Sequence, residues 1–100
     1  MEDKVYNIEY IKAILTPVFE SYDVKKAIVF GSYGRGNANI ESDIDILVES
    51  NLKGLKFIGL LEDIKRTVKK DVDLFDKTHI DEDSLIDNEI KETGVLTYEK

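Results

Sequence analysis

A chain of 100 residues suits one compact domain with a modest core, and a domain that small leaves room for help from a partner. With no cysteine, neither a disulfide nor a thiolate metal site can form. Fourteen basic residues against 21 acidic ones give a net charge of −7, which disfavours a broad phosphate-binding face and so stable binding to long nucleic acid. No charged-then-apolar leader and no long apolar span are visible, so the expected location is the cytoplasm, with no membrane.

In chain order, Asn7 to Ser21 carries Ile8, Ile11, Ile14, Leu15, Val18 and Phe19 at helical spacing. The spacing predicts an amphipathic helix, capped by Asn7 and interrupted or bent near Pro17. Lys25 and Lys26 read as solvated charges ahead of a strand. That strand, Ile28-Val29-Phe30, is β-branched and aromatic and is stopped by Gly31. Asn37-Ala38-Asn39 lacks periodicity and reads as a loop. Ser42 to Glu49 alternates like a strand, with Ile44, Ile46 and Val48 on one face and Asp43 and Asp45 on the other.

Asn51 to Gly54 reads as a second loop. Lys56 to Lys70 sets Phe57, Leu60, Leu61, Ile64 and Val68 on one side of a helix, with lysines gathered in its last turn. Asp71 to Asp76 reads as a third strand, Val72 and Leu74 facing one way and Asp71, Asp73 and Phe75 the other. Asp81 to Glu92 is expected to be a further long helix, with Gly94 as its stop. There is no repeat or interdomain linker, so residues 1–100 are read as one domain of α/β (α+β) class.

The chemistry concentrates in two stretches. In Gly31-Ser32-Tyr33-Gly34-Arg35-Gly36 the glycines allow positive φ and close backbone approach. Successive N–H groups there, opening onto a short helix, form a concavity for phosphate oxygens. Ser32 adds a hydroxyl and Arg35 a planar cation suited to phosphate. Beyond ten intervening residues after Ser32 come Asp43 and Asp45, whose carboxylates repel one another unless a cation lies between them. Their oxygens are hard ligands of the kind Mg²⁺ prefers, with phosphates completing its shell. Asp73, central in the third strand, is the candidate to join them, as a base for an attacking hydroxyl or as a further metal ligand. Asp71 and Asp76, at the ends of that strand, rank below it.

Three other residues carry competing readings. Tyr33 could stack on a nucleotide base or pack over the turn. His79, the only histidine, is expected at the surface rather than in catalysis. Tyr98 could serve an interface or close the core.

Gly31-Ser32, ten residues, then Asp43-x-Asp45, with Asp73 in Val72-Asp73-Leu74, resembles the signature of the DNA polymerase beta-like nucleotidyltransferase superfamily. Within it the chain is similar to the minimal nucleotidyltransferase (MNT) antitoxins paired with HEPN toxins, with Gly34 where alanine is commoner, and a similar closing Gly94 to Tyr98. The resemblance implies a small mixed sheet flanked by helices and the transfer of AMP from ATP, with Mg²⁺, to a tyrosine of a HEPN toxin. It also implies that Gly31 and Ser32 contact the triphosphate, that Asp43 and Asp45 bind metal, and that Asp73 is base or third ligand; Arg35 would be a phosphate contact. A hetero-oligomer with the toxin follows from the resemblance, a homodimer staying open. The alternatives are an inert module that neutralises a HEPN partner by docking, and a small-molecule transferase, for whose acceptor domain 100 residues leave little room.

Overall fold

A computed structural model describes residues 5–100. The order of elements is α1 (Ile8–Ser21), β1 (Lys26–Phe30), α2 (Gly31–Arg35), β2 (Ile44–Glu49), α3 (Leu55–Val68), β3 (Val72–Asp76), a single 3₁₀ turn (Lys77–His79), α4 (Leu85–Thr93) and β4 (Val95–Glu99). The four strands form one mixed sheet in the order β3-β2-β1-β4. β1 runs antiparallel to both β2 and β4, and β2 runs parallel to β3, the pair joined through α3.

Alternation along the strands divides the residues between two sheet faces. Ala27, Val29, Ile44, Ile46, Val48 and Val72 point to the face covered by α1 and α3. There they meet Ile11, Leu15 and Phe19 of α1 and Leu60, Ile64 and Val68 of α3, all sealed from solvent. Each such aliphatic side chain contributes roughly 1.5–3 kcal/mol when fully buried, so this layer carries most of the stability. The other face holds Phe30, Asp45, Leu47, Asp73 and Phe75, with α2 and α4 against it. Separating the layers frees the second face for chemistry.

Local signals set the element ends, and several differ from the sequence expectation. Asn7 caps α1, its side chain accepting from the Tyr10 N–H at 2.8 Å. α1 is not interrupted at Pro17. The ring lies on the exposed side, where the carbonyl it leaves without a donor can meet water. Lys26 opens β1 rather than preceding it. α3 ends at Val68 because Lys69 adopts left-handed backbone (φ 58°). α4 begins four residues later than Asp81: Ser84 is its cap, accepting from the Asp87 N–H at 3.1 Å, and Asp81 to Ser84 forms a turn first. In β4 Thr97 is the extra residue of a bulge, and its buried hydroxyl donates to the Ala27 carbonyl at 3.0 Å. Tyr98 closes the core, its ring 5.5 Å from that of Phe19. Among the described residues no helix is long and apolar enough to cross a membrane.

Candidate active site

The strand register brings the acidic residues together. Asp45 of β2 is paired with Asp73 of β3 across the parallel ladder and with Phe30 of β1 across the antiparallel one. Neighbours in parallel register point the same way, so the two carboxylates share the second face. The charge on Asp73 therefore acts directly on Asp45 and disfavours its ionisation. Asp43 lies just before β2, exposed, at the mouth of the same strand. Asp71 lies beside it, its carbonyl accepting from the Ile44 N–H at 3.1 Å. Asp76 is remote: it caps the 3₁₀ turn, accepting from the Thr78 N–H and hydroxyl, both at 2.9 Å.

Crowding of like charge marks Asp45. Burial, then the neighbouring Asp73, then Glu89 and Asp43, push its carboxyl up to about 6. Phe30 and Phe75 flank the pair on the same face, ring centroids 5.6 Å apart, and supply the apolar surroundings that make ionisation costly.

The glycine turn sits directly beneath. Gly31 is buried with φ +74°, and a β-carbon there would lie 2.4 Å from the Asp45 Oδ2. Only a residue without a side chain lets the chain pass under the carboxylate. Gly31 donates its N–H to the Thr93 Oγ1 at 2.8 Å, and that hydroxyl donates on to the Glu89 carbonyl at 2.7 Å. A β-carbon on Gly34 would lie 2.2 Å from the Thr93 carbonyl oxygen, so no side chain has room there. Ser32 is half-buried in the first turn of α2, and its carbonyl accepts from the Gly36 and Asn37 N–H groups at 3.0 and 3.1 Å. Arg35 ends α2 with its guanidinium 3.6 Å from the Glu89 carboxylate.

Two contributors were not legible in the sequence. Glu89 and Thr93 lie some 60 residues beyond the turn, and one turn of α4 presents both to it. Only the Glu89-x-x-x-Thr93 spacing, which puts both on one helical face, hints at this. Of the two readings of Tyr33, a ring stacking on a base or packing over the turn, the structure has the packed one, with the ring buried against the core. His79 is exposed on the 3₁₀ turn, at the surface as expected.

The donor set is all carboxylate, which suits a hard divalent cation. Among the described residues no three of His, Cys, Asp and Glu converge tightly enough to enclose an ion unaided. Mg²⁺ binds in that way, through one or two carboxylates with phosphate and water oxygens completing the shell. The residues present therefore fit it.

The family description "Polymerase beta, Nucleotidyltransferase" matches residues 13–100. The chain belongs to this nucleotidyltransferase family. It is similar to protein adenylyltransferase MntA of Thermococcus cleftensis, 40% identical over 79 residues, covering 73% of this chain and 80% of that one. A relative from Methanocaldococcus jannaschii, provisionally named a protein adenylyltransferase, is 36% identical over 86 residues, covering 80% of this chain and 100% of the relative. The fold is shared with a chain of a toxin–antitoxin crystal structure containing AMP-PNP, at TM-score 0.75 and 20% identity, over 89% of this chain and 73% of that one. It is shared also with a chain from the complex of tri-AMPylated Shewanella oneidensis HEPN toxin with MNT antitoxin, at TM-score 0.70 and 18% identity, over 93% and 73%. The small mixed sheet anticipated above is thus the fold of this nucleotidyltransferase, with β4 (Val95–Glu99) as a fourth strand beyond the three read from the sequence.

Proposed function

We propose that this nucleotidyltransferase is a Mg²⁺-dependent protein adenylyltransferase that moves AMP from ATP to a tyrosine of a HEPN toxin, and so acts in the cytoplasm as its antitoxin. The observation that carries the reading is the in-register pairing of Asp45 with Asp73 above the Gly31 turn. The names of the relatives support the protein acceptor.

In this reading Asp43 and Asp45 hold the metal, with Asp73 beside them. When bound, Mg²⁺ neutralises phosphate charge and polarises the α-phosphate. Gly31 supplies the space that lets the triphosphate and the Asp45 carboxylate share one small volume. Its own N–H is engaged by Thr93, which in this reading leaves the Ser32 hydroxyl and backbone to donate to the phosphates. Arg35 is within reach of the same anion if its guanidinium leaves Glu89.

Asp73 accepts the proton of the attacking tyrosine hydroxyl. The oxygen forms a bond to the α-phosphorus as the bond to pyrophosphate breaks. Positioning and charge neutralisation carry the rate, since the transferred group asks for little covalent chemistry. ATP labelled in its α-phosphate, incubated with Mg²⁺ and the partner toxin, should label the partner. Asp43→Ala and Asp73→Ala should abolish the label. An Asp43→Ala chain that neutralises the toxin without labelling it would establish the inert docking module instead.

A further inference from the structure

Two surface patches on this chain, each with an exposed leucine, are opposite in charge, and the catalytic reading uses neither. The first surrounds a cleft of about 590 Å³ between the start of α3 and the 3₁₀ turn, at the end of β3 away from Asp73. Leu52, Phe57 and Ile58 line it, and beside it Leu55 is 85% exposed. Residues 51–58 contain Lys53 and Lys56 and no acid, and His79 closes the rim. Among the described residues, the only carboxylate lining the cleft, Asp76, is buried and engaged by Thr78.

The second patch is the approach to α4. Leu85 is 90% exposed there, the most exposed large apolar side chain among the described residues. Asp81, Glu82, Asp83 and Asp87 surround it in sequence with no base among residues 81–87. Lys91 pairs with Asp87 at 2.9 Å and with Asp83 at 3.9 Å, which leaves Asp81 and Glu82 as surplus negative charge.

Exposed apolar surface of this kind marks an interaction site, and the two patches match each other. They also lie on either side of the same 3₁₀ turn. Thr78 and His79 line the first cleft, while Lys77 and Ile80 line the groove that contains Glu82 and Asp87. A two-fold axis through that turn lets the basic patch of each copy meet the acidic patch of the other, twice per dimer.

We propose that the chain forms a symmetric homodimer in which Leu85 of one copy seats beside Leu55 and the Leu52–Phe57–Ile58 cleft of the other. Lys53 and Lys56 face Asp81 and Glu82 across both halves. The site around Asp45 and Asp73 stays open, since it lies at the opposite end of β3.

Sedimentation equilibrium of the purified chain tests this. A species of twice the 11.4 kDa chain mass should form in the micromolar range. It should weaken about tenfold or more between about 0.05 M and about 0.5 M NaCl, as screening of paired charges requires. Lys53→Glu with Lys56→Glu should be monomeric, and so should Asp81→Lys with Glu82→Lys. A one-to-one mixture of these two variants should restore a dimer, because both contacts are again of opposite sign. Recovery on mixing cannot come from misfolded chains. A monomer at every concentration, a dimer indifferent to either reversal, or two monomeric variants that stay apart when mixed would each overturn the proposal.

Discussion

Asp45 stands in register with Asp73 and directly over Gly31, so one carboxylate is pressed by a second beside it and by bare backbone below. Its carboxyl is consequently raised to about 6.

That shift fixes the sign of a pH effect. The folded chain holds the Asp45 proton more tightly than the unfolded chain does, so the contribution is favourable below about pH 4. It is lost as pH rises through about 6. Metal-free protein should therefore lose thermal stability over that window. Asp45→Asn should remove the dependence and raise Tm at pH 7 while abolishing transfer. Differential scanning calorimetry of both proteins in EDTA from pH 4 to 8 checks it, and a lower Tm for the variant at pH 7 would refute it.

Magnesium should act in the opposite sense. Binding to the folded state alone stabilises by mass action, about 2.7 kcal/mol at a hundred times the dissociation constant. The rise in Tm on adding Mg²⁺ with a non-hydrolysable ATP analogue should vanish in Asp45→Asn and shrink in Asp73→Ala. Thermal melts with and without chelator measure it.

Gly31→Ala places a methyl group 2.4 Å from the Asp45 carboxylate on backbone that already has positive φ. The left-handed conformation alone costs alanine about 1–2 kcal/mol, and the carboxylate must move as well. Transfer should fall by about a hundredfold or more, on the scale of misplaced reacting groups. Urea unfolding and labelling rates, taken together, separate the two effects.

Thr93→Val keeps the shape of the side chain but leaves the buried Gly31 N–H without its acceptor. The loss of stability should be about 1–3 kcal/mol, with a higher KM for ATP because the turn loses its tether. Thr93→Ser, which keeps the hydroxyl, should restore most of both. A serine variant as impaired as the valine one would show that the methyl packing, not the hydrogen bond, is what matters.

Three of the four strands, the acidic pair and the turn were legible because they follow from short-range pattern: alternation at Ile44 to Val48, glycine after Phe30, the two-residue step from Asp43 to Asp45. β4 (Val95–Glu99) was missed because its place is set by pairing with β1. The start of α4 was misread because an acidic run with Leu85 and Ile86 resembles a helical face, while the cap at Ser84 decides where the helix begins. Glu89 and Thr93 were invisible for a different reason. Their roles depend on the third dimension, on α4 crossing the sheet face to reach a turn 62 residues earlier in the chain. Tyr33 was ambiguous because its sequence neighbours are those of a turn, and burial was settled by α1 and the core instead.

The bond from Gly31 to Thr93, and the central place of β1 between β2 and β4, have a consequence for timing during synthesis. A ribosome that has made Asp43, Asp45 and Asp73 has still not made Thr93, which braces the glycine turn, nor β4, the second neighbour of β1. The nascent chain therefore stays without a braced glycine turn until Thr93 and Val95–Glu99 have emerged. A message broken or a chain cleaved shortly before Thr93 would yield protein carrying the whole acidic signature and no means of presenting it.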